Sequence, residues 1–168
     1  KDMASSINPA KARSSFEEIK KKAEEICRFF TDESTSTIMV GTATCGRSDG
    51  ALNVLESFSQ SLKEEGIVAN LVEVGCMGHC YAEPMAVVKR PGYPSLLYHH
   101  LTPITAKNLV KKFFIENDPY FDIFLGALEE NKMFPAMRDI PRYGLEKRRL
   151  MRRCGLIDPE NIYHAIIK

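Results

Sequence analysis

The chain has 168 residues, of which 44% are hydrophobic and 27% carry charge. Its formal net charge of +1 excludes the basic excess by which many proteins bind nucleic acids or membrane surfaces. No stretch reaches the ~20 apolar residues of a membrane-spanning helix, so the composition predicts one globular domain with a few added elements. The five cysteines are not spaced like a secreted disulfide scaffold, and they predict a reducing, cytoplasmic location.

The first predicted element is an amphipathic helix that runs from Pro9 to about Asp32. Apolar residues recur there at steps of three and four, which is the spacing of one helix face. Cys27 lies beside this face and is interpreted as a small buried residue, the usual role of a free cysteine. We assign residues 1–36 to this helix and a polar linker, and we expect the face to pack on an apolar surface. The face consists of Phe16, Ile19, Ala23, Ile26 and Phe30.

The next segment begins with a short apolar strand, Thr37–Gly41. A loop that carries Cys45 follows, and then a helix from about Gly50 to Glu65, for which Ser48 or Asp49 can provide the N-cap. The sequence "IVANLVEVG" predicts a second strand. The sequences "PMAVVKR" and "PSLLYHH" predict two more strands, because both contain apolar runs and a Pro-Gly turn separates them.

The last helix of this segment is capped by Thr102 and has Pro103 at its first position. The order strand, helix, strand, strand, strand, helix over residues 37–116 predicts an α/β fold, in which helices flank a small mixed sheet. This is the thioredoxin-like arrangement, without its usual Cys-x-x-Cys. We expect the following side chains to be buried between the layers: Met39, Leu55, Phe58, Val72, Val74, Val87, Leu109 and Phe113.

Residues 117–168 are predicted to form an extended, partly helical C-terminal tail. The sequence "YFDIFLGALEEN" is interpreted as a short helix or loop, and "FPAMRDIPRYG" cannot be one helix because of its prolines. Asp158 and Pro159 predict the start of a last helix. We expect this tail to be a linker whose contacts lie mostly away from the core. Its basic residues are interpreted as a solvated face or a docking surface for an acidic partner: Arg148, Arg149, Arg152 and Arg153.

Three cysteines follow the first two predicted strands. Cys45 follows the first strand, whereas Cys76 and Cys80 lie just past the second. The two loops can therefore meet if the strands are neighbours. Thiolates are soft ligands that typically hold iron–sulfur clusters or zinc. A 2Fe–2S cluster takes four ligands, however, and this pattern supplies only three thiols.

These residues resemble the thioredoxin-like 2Fe–2S ferredoxin domain of NADH dehydrogenases and electron-bifurcating hydrogenases, over about residues 38–115. The family motif is Cys-x4-Cys, a long spacer and Cys-x3-Cys. Its second half matches "CMGHCYAEP", which contains Cys76 and Cys80. The resemblance implies that Cys45, Cys76 and Cys80 bind a 2Fe–2S cluster. One family cysteine is replaced, by Val40 if Cys45 is the second of its pair, or by Gly50 if Cys45 is the first.

The sequence leaves the fourth ligand open. His79 can supply a nitrogen, as histidine does in Rieske centres, and weaker oxygen candidates are Thr42, Thr44 and Asp49. Solvent is a further option. Zinc held by the three cysteines and His79 is another alternative, although the usual Cys-x2-Cys spacing is missing.

The tail carries a second resemblance. The stretch "RRLMRRCGLIDPENIYHAI" is similar to the entry of the FMN- and NADH-binding flavoprotein subunit of the same complexes. This implies that residues 117–168 lead into a flavoprotein domain whose FMN and NADH site lies beyond Lys168. The implied partners are that domain and other subunits of a redox complex, with no nucleic acid and no membrane span.

Three functions are open at this stage, and in none of them is the chain catalytic alone. The first is an electron carrier with a 2Fe–2S cluster in an NAD(P)H-oxidising flavoprotein complex. The second is a thioredoxin-like module without a cluster that docks a partner redox subunit. The third is a thiol redox protein that uses Cys76 and Cys80.

Overall fold

The computed structural model describes residues 8–168. Its centre is a five-stranded sheet with the strand order β2-β1-β3-β4-β5. Strands β1 and β2 are parallel, and the other neighbouring strands are antiparallel. The predicted small mixed sheet is therefore confirmed, with one strand more than the sequence indicated. The strands are β1 (Ser36–Gly41), β2 (Ala69–Val74), β3 (Ala86–Lys89), β4 (Leu96–Tyr98) and β5 (Phe124–Ala127).

Helices flank this sheet on both sides. The α-helices of the described residues are α1 (Pro9–Ile26), α2 (Thr44–Ser48), α3 (Ala51–Glu64), α4 (Pro103–Leu109), α5 (Pro141–Gly144) and α6 (Ile162–Ile167). Helix α4 continues as a π-helical turn, Val110–Ile115. Its predicted cap is confirmed, since the Thr102 hydroxyl accepts the Thr105 N–H at 3.1 Å. None of the helices among residues 8–168 is long and apolar enough to cross a membrane.

Two helix starts differ from the prediction for local reasons. Helix α3 has no side-chain cap and begins after Gly50, which takes a φ of +92°. Glycine adopts this left-handed conformation without strain, and it turns the chain sharply out of α2, which holds Cys45. Helix α6 is capped by Asn161 instead of Asp158. The Asp158 carboxylate accepts the Glu160 N–H at 2.9 Å and so closes a turn before the helix.

Both faces of the sheet are buried. In β1, Ile38 and Val40 point into a first core beneath α3 and α4, whereas Met39 points into a second core on the opposite face. This alternation follows from the two-residue period of a strand. Of the side chains predicted to be buried, Leu55 is partly exposed and the others are buried.

The second core explains the behaviour of the tail. Strand β5 pairs with β4 beyond the predicted boundary at residue 116, and Met137 of the tail is buried in the second core. The expectation that the tail contacts little of the core is therefore wrong. Residues 37–116 place both long helices, α3 and α4, on the first face, so Met39, Val87 and their neighbours need cover from elsewhere. The prolines do prevent one continuous helix, as predicted.

The N-terminal helix packs through one end of its apolar face. Helix α1 contacts α6, Ala23 and Cys27 are fully buried, and Phe30 packs against the second core. The predicted burial of Cys27 is confirmed. Phe16, Ile19 and Ile26 stay 51%, 44% and 45% exposed, so about half of each of these side chains faces solvent.

The two cores lead to a test of the layer between α3 and the sheet. Leu62→Ala removes a side chain that is 6% exposed and is expected to lower the free energy of unfolding by about 2–5 kcal/mol. Leu52→Ala removes the same atoms from the same helix at a position that is 44% exposed, and it should cost about 0.5 kcal/mol. Urea unfolding monitored by circular dichroism measures both. Equal losses would contradict the placement of the buried face.

Candidate functional site

The carboxyl ends of β1 and β2 place the two cysteine loops side by side. The strands run parallel with Gly41 opposite Val74, and the Thr42 N–H donates to the Val74 carbonyl at 2.9 Å. Cys45 follows β1 within α2, and Cys76 lies two residues past β2. The parallel pairing thus delivers both loops to the same edge of the sheet, as the sequence predicted for neighbouring strands.

The turn that carries Cys45 is fixed against the end of β1. A side chain at Gly46 would overlap the Gly41 carbonyl oxygen, so this close approach requires glycine. The Arg47 guanidinium donates to the Thr42 carbonyl at 2.7 Å and lies 3.7 Å from the Glu73 carboxylate on β2. Both contacts link α2 to the strand ends.

Cys76 and Cys80 form a close thiol pair. Their sulfur atoms lie 3.7 Å apart, and the Gly78 N–H points at the Cys76 sulfur at 3.2 Å. Gly78 has a φ of +88°, which lets the loop turn back on itself between the two cysteines. Cys80 is exposed and Cys76 is half-buried. Burial raises the pKa of the Cys76 thiol, and the hydrogen bond from Gly78 opposes that rise.

The spacing of the pair fits one metal atom. Two thiolates bound to a tetrahedral metal at ~2.3 Å lie ~3.8 Å from each other, and the two sulfurs are 3.7 Å apart. The donors are soft, which favours iron in an iron–sulfur cluster or zinc. The Gly78 N–H supplies the kind of hydrogen bond to sulfur that stabilises a reduced cluster.

A complete metal site is not assembled around this pair. Among residues 8–168, no three side chains of His, Cys, Asp or Glu are close enough together to hold a metal ion. The backbone pairing of β1 and β2 brings the Cys45 turn to the same edge of the sheet as Cys76 and Cys80. That Cys45 is a metal ligand stays a prediction. Cys27 is buried at the end of α1, and Cys154 lies in the tail.

His79 is held by the tail. It is 3% exposed, its Nε2 lies 3.1 Å from the Arg148 guanidinium, and its ring is 4.3 Å from the Tyr143 ring. A guanidinium can only donate, so Nε2 is the acceptor and carries no proton. Metal binding through Nε2 would require Arg148 to move. His79 as the fourth ligand therefore stays a prediction with an added structural requirement.

The position that the family resemblance assigns to the missing cysteine lies inside the first core. Val40 is fully buried and packs beneath α3 and α4. A thiol at this position would lie among apolar side chains of that core. Gly50, the other option, lies at the start of α3 with its φ of +92°.

The sequence reasoning missed one acidic group beside the site. Glu83 is 5% exposed, its Oε2 accepts the Met85 N–H at 3.0 Å, and its Oε1 has no hydrogen-bond partner in the part of the chain that the structure describes. A Cβ added at Gly41 would lie 3.5 Å from each of the two Glu83 carboxylate oxygens, so the carboxylate packs against the end of β1. Burial raises the pKa of this carboxyl. The signal in the sequence was one acidic residue within the buried stretch "AEPMAVV".

The tail covers the thiol loop. The Gly75 N–H donates to the Ile157 carbonyl at 2.8 Å. Gly155 packs so closely against the Met77 side chain that a Cβ added at Gly155 would lie only 2.7 Å from the Met77 Cγ. Arg148 donates to the Met77 carbonyl at 3.0 Å as well as contacting His79. Arg148 therefore bridges the tail to the thiol loop. The basic composition of the stretch did not indicate this contact.

Comparison with known proteins agrees with the fold. The chain is 27% identical over 107 residues to subunit HndB of the NADP-reducing hydrogenase of Solidesulfovibrio fructosivorans, a match that covers 62% of this chain and 85% of HndB. A solved thioredoxin-like [2Fe-2S] ferredoxin from Aquifex aeolicus superposes with a TM-score of 0.50 and 16% identity, covering 60% of this chain and 99% of the ferredoxin. No family model matches. The predicted thioredoxin-like fold and the first predicted resemblance, to thioredoxin-like 2Fe–2S ferredoxins, are thereby confirmed. The second resemblance, of the tail to a flavoprotein subunit, stays a prediction.

The Arg148 bridge can be tested by hydrogen exchange. Arg148→Ala removes two hydrogen bonds to the thiol loop, and we expect the Gly78 amide to exchange about fivefold faster, the equivalent of about 1 kcal/mol for a partly exposed contact. Arg149→Ala, at the exposed neighbouring position, should leave that rate unchanged. Mass spectrometry of peptic fragments measures both. The bridge is refuted if the two variants exchange alike.

The buried Glu83 carboxyl predicts a pH dependence of stability. Its pKa is raised in the folded state, so the folded protein prefers the protonated form, and the stability that this form supplies is lost as the pH rises from the unfolded pKa of ~4.3 through the folded value. Glu83→Gln mimics the protonated form. We expect the variant to be more stable than the parent at about pH 8 and equally stable below about pH 4. Thermal unfolding across this range measures the difference, and a constant difference would contradict the mechanism.

Proposed function

We propose that this chain is an electron-transfer module that carries a 2Fe–2S cluster, with Cys76 and Cys80 as the ligands of one iron and Cys45 as a ligand of the other. The observation that carries the proposal is the 3.7 Å separation of the Cys76 and Cys80 sulfurs, which matches the bite of a tetrahedral metal, together with the Gly78 N–H on Cys76. The thioredoxin-like fold and the ferredoxin of the same fold support it.

The bound cluster would accept and return single electrons. The residues of this chain would set how readily it does so. The N–H of Gly78 donates toward the Cys76 sulfur, and the Arg148 guanidinium brings a positive charge to the loop between the two thiols. Both favour the more negative, reduced form and so raise the reduction potential. Met77, the residue before Gly78, is buried in the second core and anchors this loop to the sheet.

The unusual feature of the proposed site is that the second iron lacks one thiolate ligand. Three thiols leave one coordination position to nitrogen, oxygen or solvent. Since Val40 lies in the first core, we assign the open position to the side of Cys45, where α2 is packed against the strand ends. A non-thiolate ligand carries less negative charge, which raises the potential and makes the cluster easier to lose.

The relative supports a place in a multisubunit redox enzyme. HndB is a subunit of an NADP-reducing hydrogenase, and we propose that this chain likewise serves subunits that exchange electrons with a nicotinamide cofactor. Residues 117–168, which also complete the sheet and the second core, would lead on to a flavoprotein domain that binds FMN and NADH. A cytoplasmic location agrees with cysteines that are all free.

A second candidate is the docking module without a cluster. The observation in its favour is that no three ligand side chains converge among residues 8–168. In this case the fold would be kept for its surfaces, and the thiols would bind no iron. Reconstitution separates the two candidates.

Reconstitution with iron and sulfide under anaerobic conditions tests the proposal. The parent is expected to take up about two iron atoms per chain and to develop visible absorption. Cys76→Ala and Cys80→Ala should abolish both, Cys45→Ala should give a cluster that a mild chelator removes faster, and Cys154→Ser should behave as the parent. We expect Val40→Cys to add nothing, because its thiol faces the first core.

The negative outcomes are distinct. A parent that binds no iron would support the docking module. Uptake of one zinc with no iron would replace the cluster by a zinc site at the pair. Iron uptake that survives Cys76→Ala would refute the ligand assignment.

A further inference from the structure

We propose that Cys76 and Cys80 also form a reversible disulfide when they hold no metal, with Cys80 as the thiol that attacks a small disulfide and Cys76 as the thiol that resolves the adduct. This activity goes beyond single-electron transfer, because it moves two electrons and needs the metal-free protein. It does not depend on the proposed cluster.

The geometry of the loop brings the sulfurs within reach of a bond. They lie 3.7 Å apart, whereas a disulfide needs ~2.05 Å, so each sulfur has to move by less than ~1 Å. Gly78, with its φ of +88°, is the middle residue of the segment 76–80. It supplies the tight turn that a disulfide between the two ends of this segment requires. Cys80 begins a short 3-10 turn, Cys80–Ala82, and its side chain can rotate on the surface.

Exposure assigns different roles to the two thiols. Cys80 is exposed, so it is the more accessible of the two thiols to a small disulfide. Cys76 is half-buried, and the Gly78 N–H holds its sulfur. Because the Cys76 thiol is less accessible and lies 3.7 Å from the Cys80 sulfur, it is placed to attack a mixed disulfide formed at Cys80. This is the role of a resolving cysteine.

The exchange balances in two steps. The Cys80 thiolate attacks one sulfur of a low-molecular-weight disulfide RSSR, which breaks the S–S bond, forms the mixed disulfide Cys80–S–SR and releases one RS⁻. The Cys76 thiolate then attacks the Cys80 sulfur, forms the Cys76–Cys80 bond and releases the second RS⁻. The protons of the two protein thiols end on the two RSH molecules, so RSSR is reduced by two electrons and the pair is oxidised by two.

The other thiols do not compete for this role. Cys27 is 1% exposed at the end of α1, and Cys45 is half-buried in α2, where its sulfur contacts no other cysteine among residues 8–168. Within residues 8–168, Cys76 and Cys80 are the cysteines whose sulfurs contact one another. Cys154 is half-buried in the tail and provides a matched cysteine for control.

The experiment uses the full 168-residue chain, stripped of metal and equilibrated anaerobically with mixtures of reduced and oxidised glutathione. We expect the parent to lose two of its five thiols and to carry no bound glutathione, with the bond mapped to Cys76 and Cys80 by mass spectrometry of peptides. Cys76→Ser should accumulate one glutathione at Cys80. Cys80→Ser should take up glutathione at Cys76 roughly tenfold more slowly, since access to that sulfur is restricted. Cys154→Ser should match the parent.

Three results would overturn the inference. They are a parent that keeps all its thiols at every glutathione ratio, a two-thiol loss that persists in Cys76→Ser, and a bond mapped to Cys45 or Cys154. If the thiols stay reduced but the parent binds iron, only this inference fails. If the disulfide forms but iron is never bound, the cluster proposal fails and this one stands.

Discussion

The parallel pairing of β1 with β2 is the constraint on which the rest of the site depends. Parallel strands end at the same edge of a sheet, and here both ends are followed at once by cysteine loops. The Thr42 N–H on the Val74 carbonyl continues the pairing by one residue beyond Gly41. The close approach of Gly46 to Gly41 and the contacts of Arg47 then hold the Cys45 turn at that edge. Without this register the thiols would belong to unrelated loops.

The thiol loop and the tail are one structural unit. The second face of the sheet carries apolar side chains that α3 and α4 cannot reach, and the tail supplies Met137 to cover them. On its return the tail passes over the loop between Cys76 and Cys80, where Gly155 meets Met77 and Arg148 bridges Met77 and His79. The need to bury an apolar face thus places a positive charge beside the thiols, about 70 residues away in sequence.

The sequence was informative wherever the signal was local. The apolar run of β1, the Thr102 cap and the burial of Phe58 in α3 were each readable from a few residues. The Cys-x3-Cys spacing likewise marked Cys76 and Cys80 as a pair, and their sulfurs lie 3.7 Å apart. Strand β5 was missed because pairing with β4 holds it in place, and a short stretch broken by a glycine does not reveal such a partner.

The non-local parts of the site were not readable in this way. Whether Val40 faces the cysteines or the first core depends on which face of β1 lies beneath α3, and the family spacing alone does not carry that information. Arg148 looked like one of several solvated cations, and only the path of the tail distinguishes it. Glu83 is an ionisable group in a buried stretch, and its unpaired oxygen becomes visible only once its neighbours are placed.

The cover of the second face also determines where this chain can be divided. A fragment that ended at residue 116 would keep every cysteine of the candidate site, but it would lose β5 and Met137. Strand β4 would then present a bare edge, and Val87 and Leu97 would face water. An unpaired edge beside an uncovered apolar face is a template for self-association. The thioredoxin-like part is therefore not a separable module at that point, because the tail completes its sheet and covers its second face.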